Sequence, residues 1–416
     1  MSPHGQPPVK YAVVTFGCRV NQADSLGVEA ALSAAGAEAV SSDQADVVLV
    51  NTCSVTASAD QGARQTIRRI HRENPAARIV VTGCFATRSP SEVAALPGVE
   101  TVVPNPEKDA LPGLLLPMLS ASEGDGPCGR LPGPGLMGRT AWTLRVQTGC
   151  DEHCSYCIIP STRGAARSRS RADVLAELHQ ALEAGYREVA LTGVHLGSWG
   201  RDLDGSDRLP DLLAAIAAVS GDFRVRVSSL EPMDCTPSVL DVIGASPGRF
   251  AAHLHLPLQH ACDRMLRAMR RPYSSEYYAT LVDDVRRRLP DAAIGTDVIV
   301  GFPGETDDDA ELLAHFLAGA PVTHVHVFPY SDRPGTVAER LPGKVPGAVV
   351  KARAQRLREV SARLATTFRR SQVGRTRPAL TIGDGHTAVT DNYFKVPVPG
   401  GRPRNTWVDV VIPPAD

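Results

Sequence analysis

Alternation between short apolar runs rich in β-formers and helical segments is the feature that most restricts how this chain folds. In the first hundred residues three such runs alternate with helical stretches at 25–35 and 58–72; the runs are Tyr11 to Cys18, Ala45 to Cys53 and Ala77 to Cys84. Strands separated by helices need crossover connections and therefore lie parallel. A shorter run, VETVVPN, indicates a fourth strand. Residues 9–119 are thus predicted to form an open parallel α/β sheet domain.

A second alternating series begins at Thr140 and contains six apolar runs, from WTLRVQTGC to VTHVHVFPY. The helical segments between them lie near 172–185, 208–220, 236–245, 275–289 and 307–319. Six β/α units are fewer than the eight that close a full barrel. Together with a helix near 347–372, residues 140–371 are predicted to form an open, partial (β/α)6 barrel. Residues 120–139 are dense in Gly, Pro and Ser and are expected to be a linker.

The remaining residues, 372–416, are short β-rich pieces cut by Gly and Pro, a pattern that favours a small β-barrel-like domain. The segment before and into it, 351–377, holds nine Lys or Arg and one Glu, although the net charge of the whole chain is only -1. Such a segment is either a solvated helix face or a surface for nucleic-acid phosphates. Four arginines could share one side of the helix: Arg353, Arg356, Arg363 and Arg370.

The N-terminus has no apolar signal region, and no apolar run approaches the length of a membrane span. A cytoplasmic protein without membrane association is expected. Nine cysteines in such a chain indicate metal or redox chemistry, because disulfide frameworks belong to short secreted domains.

Three cysteines, Cys150, Cys154 and Cys157, stand close together in GCDEHCSYC. Thiolates are the usual ligands of iron–sulfur clusters, and three of them leave one iron of a four-iron cubane open. The loop follows the first barrel strand, at the mouth where barrels place their active sites. A zinc site is the alternative and would need a fourth ligand, for which His153 is the candidate.

Three more cysteines, Cys18, Cys53 and Cys84, each end one of the N-terminal strands. Parallel strands finish at the same edge of their sheet, so these thiols are expected to converge into a second cluster. A single cysteine of this kind is more often a small buried hydrophobe. Cys128 in the linker, Cys235 and Cys262 are assigned to neither cluster.

The C-x3-C-x2-C loop, with aromatic Tyr156 before its last cysteine, resembles the radical S-adenosylmethionine superfamily. In that superfamily the loop holds a [4Fe-4S] cluster, and S-adenosylmethionine occupies the open iron and is cleaved to a 5′-deoxyadenosyl radical. Two three-cysteine sites in this order resemble the methylthiotransferases. The likeness covers nearly the whole chain and implies a C-terminal domain similar to a TRAM domain.

The flanks of the cysteines separate the branches of that family. GCRVNQADS, NTCSVTASAD and VVTGCFA look like the branch that acts on threonylcarbamoyladenosine in tRNA. PLQHACDRM departs from the family, which commonly has Ser-Gly where His260 and Ala261 stand.

The resemblance implies two [4Fe-4S] clusters and S-adenosylmethionine as cofactors. Cys150, Cys154 and Cys157 would be the catalytic set, and Cys18, Cys53 and Cys84 the ligands of the second cluster. It also implies a tRNA anticodon stem-loop as substrate at position 37, a sulfur source, and an electron donor such as flavodoxin or ferredoxin.

Contacts to S-adenosylmethionine follow from the same resemblance. The expected set is Tyr156, Thr192, Gly193, Ser229, Glu231, Val298 and Gly301. Each has a plainer explanation: the glycines could relieve crowding at strand ends, and Glu231 could be a surface carboxylate. Asp297 is expected in the barrel interior without an assigned role.

Two other functions remain open. The same chemistry could act on isopentenyladenosine in tRNA or on ribosomal protein S12. A protein of another class, a zinc or iron–sulfur redox sensor without catalysis, would have no use for the cofactor strands of the barrel.

Overall fold

The computed structural model describes residues 9–119, 131–135 and 138–414; Cys128 and most of the expected linker lie outside them. Five parallel strands form the N-terminal sheet in the order β2-β1-β3-β4-β5. They are β1 (Lys10–Thr15), β2 (Glu38–Ala39), β3 (Val47–Thr52), β4 (Arg78–Gly83) and β5 (Val99–Val103). Its helices are α1 (Arg19–Ala34), α2 (Ala57–Glu73), α3 (Cys84–Arg88), α4 (Pro90–Ala94) and α5 (Leu111–Leu119), with a 3-10 turn at Asn105–Ala110. All six residues of β3 are buried, as a central parallel strand covered on both faces requires.

Six further parallel strands form the partial barrel, in two three-stranded sheets with the orders β10-β9-β6 and β11-β12-β13. A short antiparallel pair, β7 (Gln147–Thr148) and β8 (Arg167–Ser168), flanks the first of them. The barrel strands are β6 (Trp142–Arg145), β9 (Glu188–Thr192), β10 (Arg224–Val227), β11 (His253–His255), β12 (Ala293–Val300) and β13 (His324–Pro329).

Helices pack around these strands, and most of them share one large apolar core with the strands. They are α6 (Ile159–Arg163), α7 (Arg171–Glu183), α8 (Leu209–Ala217), α9 (Pro237–Ala245), α10 (Asp263–Ala268), α11 (Ser275–Arg288), α12 (Asp307–Gly319) and α13 (Gly347–Gln372). Short 3-10 turns lie at Leu196–Ser198, Pro232–Asp234 and Ala338–Arg340.

The C-terminal sheet is antiparallel, with the order β16-β15-β14-β17. Its strands are β14 (Thr376–Ile382), β15 (Thr387–Thr390), β16 (Lys395–Pro397) and β17 (Trp407–Val411). The predicted fold class is confirmed: a parallel α/β sheet, a partial barrel and a small β unit. Within the described residues the C-terminal strands remain an open sheet and do not close a barrel.

Helix α1 begins at Arg19, six residues before the helical segment expected from residue 25. Its first turns carry polar side chains, which hide the apolar periodicity of a buried helix. Asn21, Asp24 and Ser25 are nevertheless buried, because each finds polar partners inside the protein.

Helix α1 also joins the N-terminal sheet to the barrel. Leu26 and Ala30 belong to the same apolar cluster as Trp142 and Leu144 of β6. This shared burial removes apolar surface from water on both sides of the junction.

Buried Asp24 forms the polar centre of this junction. Its carboxylate accepts hydrogen bonds from Lys108 Nζ at 2.7 Å, from Arg163 Nη2 at 3.1 Å, and from Arg145. Burial alone would raise the pKa of Asp24, but the three cations hold it well below its usual value. The carboxylate is therefore charged, and it ties two barrel arginines to the N-terminal sheet.

Two arginines of β10 hold the C-terminal sheet against the barrel. The Arg224 guanidinium lies 4.5 Å from the ring centroid of Trp407 and donates to the carbonyl of Pro378 at 3.1 Å. Arg226 donates to the carbonyl of Thr390 at 2.7 Å. These charge-assisted contacts fix the C-terminal sheet against β10 of the barrel.

Two arginines of the predicted basic stripe serve the packing of α13. Arg353 and Arg356 donate to the carboxylates of Asp307 and Glu311 on α12, each at 2.6 Å. The other two members of the stripe are exposed. The surface expected for phosphates on this helix is therefore smaller than the sequence indicated.

Changing Asp24 to Asn tests the junction. The substitution leaves the buried cations without a counter-charge, which should lower the free energy of unfolding by about 3 kcal/mol. Differential scanning calorimetry of Asp24→Asn should show a lower Tm, whereas Asp43→Asn, at an exposed carboxylate of the same unit, should leave it unchanged. An unchanged Tm for Asp24→Asn would contradict this account of the junction.

Candidate active site

Cys53 and Cys84 follow β3 and β4 directly and Cys18 follows β1 after two residues, so all three lie at the carboxyl edge of the N-terminal sheet. In the order β2-β1-β3-β4-β5 the strand order reverses between β1 and β3, and ligands bind at such a switch point. Cys53 and Cys84 are buried and Cys18 is exposed. The structure therefore brings the three strand-end cysteines to one edge of the sheet.

Hydrogen bonds between the three loops fix this arrangement. Buried Asn21 donates from Nδ2 to the carbonyls of Phe16 and Thr52, at 2.8 and 2.9 Å, and so links the loops after β1 and β3. The Thr52 hydroxyl donates to the carbonyl of Thr82 at 2.6 Å and links β3 to β4.

Glycines before two of these cysteines permit the close approach. Gly17 has φ +90°, and a Cβ built there would lie 2.7 Å from Cys53 Sγ; Gly83 has φ +97°, and its Cβ would lie 2.2 Å from the Thr52 carbonyl oxygen. A side chain at either position would collide with the site or with its supporting strand.

The second triad sits on a loop that neighbouring segments anchor. Cys150 N–H donates to the Gly164 carbonyl at 3.1 Å, and Ser155 Oγ donates to the Ala268 carbonyl at 2.8 Å. Gln147 Nε2 donates to the carbonyl of Gly149 at 2.8 Å. His153, the candidate fourth zinc ligand, is exposed.

One cavity of about 930 Å³ is lined by Cys18 together with Cys150, Cys154 and Cys157. It runs on to the inner faces of β11–β13 and to the C-terminal sheet. Cys18 of the first triad and all three cysteines of the second therefore line the same chamber.

Arg163 stands between the two triads. It ends α6, just after the second cysteine loop, and it donates from Nη1 to Thr148 Oγ1 at 3.2 Å. Burial alone would lower the pKa of this guanidinium, but Asp24, Cys84 and Cys18 raise it above its ordinary value. A fixed positive charge therefore faces the N-terminal thiols.

Two charged groups beside the second triad were missed in the sequence. Arg271 Nη1 donates to Cys154 Sγ at 3.0 Å, and the same side chain pairs with Glu231. His195 Nδ1 lies 3.8 Å from Cys150 Sγ. Both lie far from the loop in sequence, so no local pattern marks them.

A carboxylate orients this histidine, because His195 Nε2 lies 2.6 Å from Asp234 Oδ2. Burial disfavours the imidazolium, but the contacts with Asp234 and Cys150 outweigh it and raise the pKa of His195 to about 9.

Five of the seven residues expected at S-adenosylmethionine line the cavity: Tyr156, Thr192, Gly193, Ser229 and Glu231. Val298 and Gly301 do not. Val298 is fully buried in the barrel core, and a Cβ at Gly301 would lie 2.4 Å from Val350 of α13. Gly301 therefore makes room for helix packing, the plainer of its two explanations.

Cys235 and Cys262 stand apart from the two triads. Cys235 is buried in the barrel core, and Cys262 packs against the apolar cluster around Met265. The assignment of neither residue to a cluster agrees with these positions.

A group of polar residues from the barrel strands also lines the cavity. Asp297 Oδ1 lies 2.8 Å from His255 Nε2 and 3.2 Å from His326 Nδ1. One ligand atom from each of the three lies within 4.8 Å of the others, a spacing that a divalent ion could bridge.

The thiols fit a role as ligands of a positively charged centre. Burial raises the pKa of Cys53 to about 11 and that of Cys157 to about 12, although backbone N–H groups at 3.5 Å partly oppose the shift. Such thiols ionise when a metal compensates their charge, as iron does in a cluster.

A partial β/α barrel whose first loop carries C-x3-C-x2-C defines a radical S-adenosylmethionine enzyme. Residues 144–317 match the radical SAM superfamily, and residues 10–104 match a family described as uncharacterized protein family UPF0004.

Curated relatives place the chain more closely. It is 34% identical to the threonylcarbamoyladenosine tRNA methylthiotransferase MtaB of Bacillus subtilis, over 92% of this chain and 88% of the relative. It is also 34% identical to the protein of the same name from Aquifex aeolicus, over 97% of this chain and 100% of the relative. The tRNA-2-methylthio-N(6)-dimethylallyladenosine synthase of Clavibacter michiganensis is also 34% identical, over 97% and 80%. The chain belongs to the radical SAM methylthiotransferases and is an enzyme of that class.

Solved structures support the fold. The radical SAM methyltransferase TsrM from Kitasatospora setae superposes with a TM-score of 0.57 at 16% identity, over 80% of this chain and 77% of that one. The radical enzyme OxsB superposes with a TM-score of 0.54 at 14% identity, over 87% of this chain and 58% of that one.

Family membership implies a [4Fe-4S] cluster and S-adenosylmethionine. The methylthiotransferase resemblance and the expectation of an enzyme are confirmed, so the redox sensor without catalysis is set aside.

No helix in the described part of the chain is both long and apolar enough to cross a membrane.

Two glycine substitutions test the N-terminal site with opposite expected signs. Gly17→Ala should lower the free energy of unfolding by about 2 kcal/mol, because it combines positive φ with a collision at Cys53. Gly27→Ala, inside α1 with nothing within 4 Å of the new Cβ, should raise it by about 0.5 kcal/mol. Urea unfolding followed by circular dichroism measures both. A stable Gly17→Ala protein would show that Cys53 is not held where the structure has it.

Proposed function

We propose that this enzyme converts N6-threonylcarbamoyladenosine at position 37 of tRNA to its 2-methylthio derivative. The single observation that carries the proposal is the shared chamber, which is lined by Cys18 of the first triad and by Cys150, Cys154 and Cys157 of the second. Sulfur insertion followed by methylation needs a sulfur carrier and a radical source within reach of one substrate carbon. Relatives named for this activity cover nearly the whole chain.

In this proposal the six cysteines have two roles. Cys150, Cys154 and Cys157 hold the catalytic cluster, and Cys18, Cys53 and Cys84 hold a second [4Fe-4S] cluster. The Cys150 cluster would supply the electron that cleaves S-adenosylmethionine to its radical, and the second cluster would carry the sulfur. Another S-adenosylmethionine would supply the methyl group. The convergence of Cys18, Cys53 and Cys84 at one sheet edge supports the second set, as does Asn105 Nδ2, which lies 3.6 Å from Cys84 Sγ.

The protein contributes positioning and charge. Tyr156, Thr192, Gly193, Ser229 and Glu231 would contact S-adenosylmethionine, with Arg271 between Glu231 and Cys154. A buried arginine beside a thiol favours the thiolate that an iron ligand must be. Val298 and Gly301 would contact S-adenosylmethionine only through their backbone atoms.

The wider parts of the proposal concern partners and the division of the chain. A tRNA anticodon stem-loop would meet residues 372–416 as an RNA-binding unit beside the barrel of residues 140–371, and residues 9–119 would carry the second cluster. A sulfur source and an electron donor of the flavodoxin or ferredoxin type would complete turnover in the cytoplasm.

A second candidate substrate is N6-dimethylallyladenosine at the same position. It is favoured by relatives 34–35% identical that are named as synthases of its 2-methylthio derivative, in Clavibacter and Mycobacterium. Sequence identity therefore does not separate the two substrates.

Iron counting tests the two clusters. Anaerobic reconstitution should give about eight irons per chain, four for each cubane. Changing Cys150, Cys154 and Cys157 to Ala, or Cys18, Cys53 and Cys84 to Ala, should leave about four. Cys262→Ala should keep the full number as the matched control. About four irons in the wild type and none after loss of the Cys150 triad would remove the second cluster from the proposal.

Nucleoside analysis tests the substrate. In tRNA from cells that lack this protein, mass spectrometry should find threonylcarbamoyladenosine without its 2-methylthio form. The wild-type gene should restore that form, and the gene with the Cys150 triad changed to Ala should not. Restoration of the 2-methylthio form of dimethylallyladenosine instead would establish the second candidate.

A further inference from the structure

The barrel strands β11 and β13 place four histidines on the lining of the cavity. These four, called the histidine wall, are His253 and His255 of β11 and His324 and His326 of β13. Gly295 of β12 pairs with both His255 and His324 in the sheet. A Cβ at Gly295 would lie 2.7 Å from His255 Nδ1 and 2.4 Å from His324 Nε2. The glycine thus lets two imidazoles approach each other over the strand.

The histidine wall suits a polar ligand. The Nδ1 atom of buried His253 has no hydrogen-bond partner within the described residues. An apolar group held against this wall would leave buried polar atoms unpaired, which costs affinity. Asp297 does not repel an anion strongly, because His255 and His326 both hydrogen-bond to its carboxylate.

Arg19 supplies a positive charge on the same cavity. It follows Cys18, and its guanidinium donates to the hydroxyl of Tyr393 at 2.9 Å. In the described part of the chain, no carboxylate lies within ion-pair distance of Arg19. An arginine that lines a substrate cavity without a counter-ion is a ready partner for a ligand carboxylate.

Tyr393 holds these parts together in an unusual backbone conformation. Its φ is +76°, a region that side chains other than glycine rarely adopt. Its ring stacks on His253 with a centroid separation of 4.7 Å and lies 4.8 Å from the Arg226 guanidinium. Strain that persists because contacts enforce it is common where a side chain positions a ligand.

We propose that Arg19, Tyr393 and the histidine wall form the subsite that binds the N6 substituent of the substrate adenosine, with Arg19 pairing with the carboxylate of that substituent. The proposal rests on the function proposed above. The threonylcarbamoyl group carries a carboxylate, a hydroxyl and a urea, which can use the guanidinium and the imidazoles. The dimethylallyl group has none of these, and a site built for hydrogen bonds rejects an analogue that lacks them.

Binding of modified RNAs to the reconstituted enzyme tests the subsite. The probes are anticodon stem-loops with adenosine, threonylcarbamoyladenosine or dimethylallyladenosine at position 37. The wild type should bind the threonylcarbamoyl RNA most tightly. Arg19→Gln should lower the affinity for the threonylcarbamoyl RNA by about tenfold, which is the loss expected for a hydrogen bond to a charged group. The affinities for the other two RNAs should not change. Arg19→Lys should recover part of the loss.

Arg68→Gln is the matched control, since Arg68 is an exposed arginine of α2 in the same unit. It should leave the preference among the three RNAs as in the wild type. Tyr393→Phe keeps the ring and removes the hydroxyl, and it should reduce the preference less than Arg19→Gln does. Iron content confirms that each variant is folded and loaded.

Three results would overturn the subsite. They are equal binding of the three RNAs by the wild type, an unchanged preference in Arg19→Gln, and an equal loss for all three RNAs, which would make Arg19 a phosphate contact. A different result would contradict the proposed function itself: wild-type enzyme that forms no 2-methylthio-threonylcarbamoyladenosine. Formation of that product with an unchanged preference in Arg19→Gln would remove the subsite alone.

Discussion

The ion-paired carboxylate of Asp24 is the interaction on which the arrangement of the two cysteine sites depends. Arg145 and Arg163 reach it from either side of the second cysteine loop, while Lys108 reaches it from the N-terminal sheet. Loss of the carboxylate would leave three cations together in a region of low dielectric. Because Arg163 ends the helix that follows Cys157, the position of one triad relative to the other is set by this contact.

Charge around the thiols shows why the two sites could tolerate clusters in buried positions. Burial alone makes Cys53 and Cys157 reluctant to ionise. Arg163 faces the first triad, and Arg271 donates to the second. The protein thus offers fixed positive charge near both triads, which would lower the free energy of the ligated state if both triads hold the clusters proposed for them.

The sequence predicted those features of the fold and the site that depend on local residue patterns and on strand topology. Apolar periodicity located the main strands, and the rule that parallel strands end together predicted the convergence of Cys18, Cys53 and Cys84. Arg271 and His195 were missed, because their partners lie more than forty residues away and leave no spacing to recognise. The start of α1 was misplaced because Asn21, Asp24 and Ser25 are buried against partners that lie far away in the sequence, which no local pattern marks.

In the proposed subsite, the residues that discriminate between substrates are different from the residues that would bind iron. Arg19 comes from the N-terminal sheet, the histidine wall from the barrel and Tyr393 from the C-terminal sheet, so the pocket exists only when all three units are docked. The residue after Cys18 can therefore differ between enzymes that share the same chemistry, because replacing it changes a contact to the substituent and leaves the thiols in place. That separation would let one radical mechanism serve substrates as different as a charged threonylcarbamoyl group and an apolar dimethylallyl group, with the discrimination made by which polar atoms are left unpaired.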